Sequence, residues 1–67
     1  MDKKIIALHL LDDTVVLAEI IGSDECYNLI VKTDFQVISD FWVNLLNEYY
    51  VEESIKPTDE KNIYIVK

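Results

Sequence analysis

The chain has 67 residues, one cysteine and a formal net charge of −7, and 51% of its residues are hydrophobic. This length predicts one small domain spanning residues 1–67, and a single thiol excludes an intrachain disulfide. Thirteen acidic residues against six lysines, with no arginine, exclude the basic footprint of a DNA-binding protein. Because so small a domain buries only about 60% of its unfolded surface, the apolar composition predicts that the chain is stabilised as a homo-oligomer.

The first half of the chain has the pattern of three antiparallel strands joined by short polar breaks. Residues 5–11 are rich in β-formers and end at Asp12-Asp13, so residues 14–21 follow as in a tight hairpin. Gly22, the only glycine, stands where a bend or a positive φ is wanted. Residues 26–32 form the third strand, with Tyr27, Leu29 and Val31 on one side.

The second of these strands is apolar on both faces. One face carries Val16, Ala18 and Ile20, and the other carries Val15, Leu17 and Ile21 together with Glu19. A strand with one face in water alternates apolar and polar residues instead. We therefore expect one face to meet the core and the other to meet a loop, a helix or a second subunit.

The second half of the chain is mainly extended by pattern, with one ambiguous segment. Residues 35–38 continue as extended chain after the polar break at Thr33-Asp34, and residues 51–56 are compatible with a further strand. Pro57 belongs to a turn or a strand edge, and residues 62–67 form the closing strand. Residues 39–50 fit either a short helix capped by Ser39 or a strand pair around Asn47-Glu48, and the β-formers favour the strand pair. The fold class is therefore all-β (mainly β), with at most one short helix.

The pattern Asp24-x-x-Tyr27-Asn28-Leu29 follows a strand, a turn and a second strand. With Leu10, Asp12, Val15, Leu17 and Ile20 at matching intervals, residues 3–33 resemble the first motif of the Sm and Sm-like (LSm) family. They are also similar to small Sm-like proteins of phage and marine environmental sequences. The second motif of the family carries Arg-Gly or Lys-His before the last strand, and the nearest equivalent here is Lys61-Asn62.

The resemblance implies a five-stranded, strongly bent antiparallel barrel and a homo-oligomeric ring closed by strand-edge pairing. It also implies a site for single-stranded, U-rich RNA, in which Tyr27 stacks on a base, Asn28 bonds a base edge and Asp24 braces the loop, with Lys61 and Asn62 contributing from the second motif. The residues themselves leave an alternative open, in which Tyr27 packs in the core and Asn28 caps a turn. A second function is a scaffold or protein-interaction ring without RNA binding, to which the negative charge points.

Other candidate residues have structural interpretations. Phe41, Trp42, Tyr49 and Tyr50 suit a core or a subunit interface better than a stacking platform. His9 and Cys26 lack partners at catalytic or metal-binding spacing, so we expect no enzyme activity, no cofactor and no metal site. The apolar runs are too short to span a membrane and a lone thiol fits a reducing compartment, so we expect a cytoplasmic protein with no membrane contact.

Overall fold

A computed structural model describes residues 4–67, so the first three residues of the predicted 1–67 domain lie outside the described part. Within that part, six strands form one sheet in the order β4-β1-β2-β3-β6-β5. The elements are β1 (Lys4–His9), β2 (Val15–Ser23), β3 (Leu29–Lys32), α1 (Asp40–Val43), β4 (Asn47–Tyr50), β5 (Ile55–Pro57) and β6 (Ile63–Val66). No helix among residues 4–67 is long and apolar enough to cross a membrane.

The core lies against one face of this sheet. Antiparallel pairing sets Ile6 opposite Ala18 and Leu8 opposite Val16, and all four side chains are buried. Val31 of β3, Val51 after β4 and Val66 of β6 complete the cluster, and Leu29, Tyr49 and Tyr64 are among the partly buried side chains packed around it. The predicted division of β2 into two faces is confirmed, because Val16 and Ala18 are buried and Ile20 packs against the same cluster.

The all-β class is confirmed, but the sheet differs from the five-stranded antiparallel barrel that the resemblance implies. It has six strands, and within residues 4–67 β4 and β5 each have only one neighbouring strand and form its two edges. Five adjacencies join these strands, and the one between β1 and β4 is parallel. β4 can run parallel to β1 because the connection through residues 39–46 returns the chain to the starting end of β1 before β4 begins.

In the ambiguous segment the short helix is confirmed, and the strand pair is wrong because Asn47 and Glu48 lie inside a single strand that pairs with β1. Asp40–Val43 form one turn of helix preceded by Ser39, whose carbonyl accepts bonds from the amides of Trp42 and Val43. The Ser39 side chain makes no cap bond, so the predicted cap acts through its backbone only. Asn47–Tyr50 then form β4, a strand that begins at the position predicted for the strand pair.

Two irregularities bend the middle of the sheet. The register between β2 and β3 shifts between Ile20 and Gly22, which marks a β-bulge. Of the two alternatives for Gly22, the structure therefore has the bend and not the positive φ. After β3, Thr33 donates its hydroxyl to the Leu17 carbonyl at 2.7 Å and Phe35 adopts φ 60°. The chain then rejoins β2 through the bridge between Val16 and Val37. The prediction that residues 35–38 continue as extended chain is met at Val37, which forms this bridge, whereas Phe35 is in the left-handed region.

Candidate functional site

The loop between β2 and β3 is organised by the Asp24 side chain. Its Oδ1 accepts bonds from the backbone amides of Cys26 and Asn28, each at 2.9 Å, and its Oδ2 accepts one from the Asn28 side-chain amide at 3.1 Å. The backbone closes the same loop, since Tyr27 donates to the Asp24 carbonyl and Asp24 donates to the Asn28 carbonyl. Five consecutive residues are therefore held in one conformation.

The hydrogen bonds of this loop stabilise the ionised form of the Asp24 carboxyl. The pKa of the Asp24 carboxyl is lowered, first by the side-chain bond from Asn28, then by the backbone bond from Asn28, and also by the nearby Lys67 ammonium. A carboxyl whose pKa is lower in the folded state stabilises that state above its unfolded pKa. This stabilisation is lost only when the pH falls through the folded pKa. At neutral pH the loop is therefore braced by an ionised acceptor.

Tyr27 stands at the tip of this loop with its ring in solvent. The side chain is 90% exposed, which excludes the alternative in which Tyr27 packs in the core. Its backbone has φ 64°, the left-handed region that glycine usually occupies in a three-residue hairpin loop. A non-glycine residue in this conformation costs about 1–2 kcal/mol. Strained, exposed aromatic residues are the kind that binding sites retain.

The Asn28 side chain has a defined orientation. An ionised carboxylate only accepts hydrogen bonds, so the atom that faces Asp24 Oδ2 at 3.1 Å is the Asn28 amide nitrogen. The Asn28 carbonyl oxygen and the second amide hydrogen are left for other partners. A donor and an acceptor side by side match the donor–acceptor edge of a nucleobase.

Lys61 and Asn62 do not join this loop. The ladder pairs Leu29 with Val66 and Lys32 with Ile63, so the loop at residues 24–28 lies at one end of β3 and residues 61–62 lie at the other. Asn62 has φ 65°, and its carbonyl accepts the Thr33 amide at 2.9 Å, so its backbone shapes the bend after β3. About 13 Å of strand separates the two groups.

The basic residue beside the Tyr27 loop is Lys67, which the sequence reasoning missed. It follows β6 directly, and its charge acts on Asp24. The signal that identifies it is the strand register: once Leu29 pairs with Val66, the residue that follows β6 lies beside Asn28. Lys61 and Asn62, which the sequence reasoning chose, precede β6 and lie at its other end.

The remaining singled-out residues fall into structural contacts or on the surface. His9 Nε2 lies 2.9 Å from Glu48 Oε1, and its ring stacks on Tyr50 with centroids 4.2 Å apart. Tyr49 packs on the core, as predicted. Trp42 and Tyr50 are more than half exposed, so the prediction of a core position is wrong for these two residues. Phe41 is likewise 67% exposed. Among residues 4–67 no three histidine, cysteine or acidic side chains come together as a metal site.

Comparisons with known proteins leave the motif unassigned. No family model matches the chain, and neither the curated proteins nor the solved structures include a significant match.

Proposed function

We propose that the chain is the subunit of an Sm-like, self-assembling ring that binds single-stranded, U-rich RNA through Tyr27 and Asn28. The observation that carries the proposal is the Tyr27 side chain, 90% exposed at the tip of a loop braced by three hydrogen bonds to Asp24. Stacking of a base on an aromatic ring contributes about 1–3 kcal/mol per base. Because the loop backbone is already fixed before binding, only the Tyr27 side chain loses conformational freedom when the base arrives.

Asn28 adds base selection to this stacking. Its amide carbonyl and second amide hydrogen are oriented by the bond to Asp24, next to the stacking ring. A uracil presents an imino donor beside a carbonyl acceptor, and the Asn28 side chain offers the complementary pair. This arrangement supports a two-bond contact between Asn28 and the uracil edge, and the expectation of U-rich strands comes from the Sm-type resemblance.

The ring is supported by the two free edges of the sheet. β4 and β5 lie at opposite edges, so pairing β4 of one copy with β5 of the next is a heterologous contact that is repeated around a closed ring. Unpaired strand edges are a liability that proteins cover or shorten. A ring covers both edges and places several Tyr27 loops on one assembly. A reducing compartment such as the cytoplasm suits the exposed Cys26 thiol.

Affinity should come from stacking and base-edge contacts and not from charge. Each subunit carries −7, and Lys67 is the basic residue beside the loop. Long-range attraction to phosphate is therefore absent, and few counterions are released on binding. We expect a weak complex whose dissociation constant depends only shallowly on salt concentration.

Fluorescence anisotropy with short U-rich and A-rich strands, at low and moderate salt, tests the proposal. Tyr27→Ala should abolish binding of the U-rich strand, and Asn28→Ala should weaken it and reduce the preference over A-rich strands. Phe41→Ala is a matched control, because this aromatic residue is 67% exposed and lies in α1, outside both the Tyr27 loop and the edge strands. Equal losses in both aromatic variants, or no binding at tens of micromolar protein, would reject the RNA site.

The second candidate is a ring that serves as a scaffold without RNA. The net charge of −7 favours it, because an acidic assembly repels the phosphate backbone. Light scattering coupled to gel filtration separates the outcomes. An assembly that ignores RNA supports the scaffold, whereas a monodisperse 7.8 kDa species removes both ring proposals.

A further inference from the structure

A second surface, here called the Trp42 groove, lies on the face of the sheet opposite the core. It is a concavity of about 630 Å³, and its apolar lining comes from Ile5 and Leu17 on the sheet, Val37 and Ile38 on the bridging segment, and Trp42 and Leu46 at and after α1. Pockets that take ligands commonly have 300–1,000 Å³. The second apolar face of β2 forms the floor of this groove. A loop and a helix flank that face but do not fill the space between them.

The groove keeps large apolar side chains in water. Val37 is 66% exposed, Trp42 is 55% exposed and Ile5 is 37% exposed. Such clustered exposure marks an interaction surface. Trp42 and its neighbour Phe41 stand edge to face with centroids 5.6 Å apart, and Phe41 extends the apolar surface beyond the groove.

The groove also offers backbone hydrogen bonds. Leu17 donates to the Gln36 carbonyl at 2.9 Å and Ile38 donates to the Val15 carbonyl at 3.1 Å. In an antiparallel bridge with this pattern, the amide and carbonyl of the central residue, Val37, point away from β2. A peptide lying along the groove therefore finds a donor and an acceptor beside an apolar floor.

Acidic side chains surround this apolar surface. Glu19 and Asp34 line the adjoining depression, which shares Ile5 and Leu17 with the groove. Asp40 stands in the first turn of α1, and Glu48 pairs with Ala7 on the same face of the sheet as Ile5. Lys32, opposite Glu19, lines the same depression and partly offsets these charges. A second copy of a chain with net charge −7 is repelled here, whereas a cationic partner is attracted.

We propose that the Trp42 groove binds a cationic amphipathic peptide segment of another protein. Its apolar side chains fill the space between Leu17, Val37 and Trp42, and its lysines or arginines face the acidic rim. The site is separate from the Tyr27 loop, so it does not depend on RNA binding.

Intrinsic fluorescence tests this directly, because Trp42 is the only tryptophan in the chain. The probe is a tryptophan-free peptide in which leucine and lysine alternate as on the two faces of a strand, about eight residues or 26 Å long, with a glutamate-for-lysine version as its charge control. We expect the lysine peptide to shift the emission to the blue and the glutamate peptide to leave it unchanged. Val37→Asp should weaken lysine-peptide binding by about tenfold or more, whereas Leu11→Asp, a 63% exposed position in the β1–β2 turn, should not.

Each other outcome overturns the proposal. Equal binding of both peptides removes the role of the acidic rim, and no spectral change with either removes the peptide site. Equal losses in Val37→Asp and Leu11→Asp show binding elsewhere. If the free protein already has blue-shifted emission and a multiple of the monomer mass, and Val37→Asp returns both to monomer values, a second copy occupies the groove instead.

Discussion

Replacing Tyr27 by glycine should stabilise the fold while removing the RNA site. Tyr27 has φ 64° and its side chain is 90% exposed, so the folded state loses little buried surface when the side chain is removed. Glycine relieves about 1–2 kcal/mol of left-handed strain. It also loosens the unfolded chain, which offsets about 0.4–1 kcal/mol. The net gain is about 0.5–1 kcal/mol, and since 1 kcal/mol shifts Tm by about 4–8 °C in a domain of this size, Tm should rise by about 2–8 °C.

Thermal unfolding followed by circular dichroism measures this change, and Tyr27→Ala is the matched control. Alanine removes the ring but keeps a Cβ in the left-handed conformation, so its Tm should stay close to that of the unmodified protein. Both variants should lose U-rich RNA in the anisotropy assay. A larger fall in Tm for Tyr27→Gly than for Tyr27→Ala would refute the strain argument. A large fall in both variants would show that the Tyr27 side chain packs against another subunit in the assembly.

Three further predictions concern the loop and the core. Asp24→Ala removes the acceptor of three hydrogen bonds, so hydrogen exchange of the Cys26 and Asn28 amides should speed up while exchange in β1 stays slow. Equal acceleration in the loop and in β1 would show that Asp24 stabilises the whole fold and not this loop alone. Because the folded Asp24 pKa is lowered, an NMR titration of the Asn28 amide should have its midpoint below the ordinary carboxyl value of about 3.9, and a midpoint at or above that value would be inconsistent with the bracing. Ala18→Phe places a large side chain at a position that is 3% exposed, so it should lower the free energy of unfolding by about 1–3 kcal/mol and Tm by about 4 °C or more. The control is Ile21→Phe, at a 48% exposed position of the same strand, and equal Tm values in the two variants would contradict the overpacking argument.

Much of the strand content followed from local pattern. Alternation along β2 placed Val16 and Ala18 on one face, because side chains two apart point the same way, and the structure shows that this face is the core. The parallel partnership of β1 with β4 could not be read in this way. It joins Ile6 to Asn47 across about forty residues, and no local signal in either strand records its partner.

The candidate site likewise has a part that the local sequence predicts and a part that depends on distant strand pairing. The short-range part, Asp24 to Asn28, is a local hairpin loop whose bonds join residues at most four apart, so a short motif carries it. The position of Lys61 and Asn62 depends on the register of β6 against β3, which motif spacing does not contain. For the same reason the proximity of Lys67 became visible only in the assembled sheet.

Photo-crosslinking is the most direct test of the central claim that Tyr27 stacks on a base. A U-rich strand that carries 4-thiouridine is irradiated with the protein, and the modified peptide is located by tandem mass spectrometry. The account predicts a crosslink at Tyr27 that is lost in Tyr27→Gly and competed by unmodified U-rich strand. A crosslink confined to the region of Lys56 and Lys61, or one that persists in Tyr27→Gly, would contradict it.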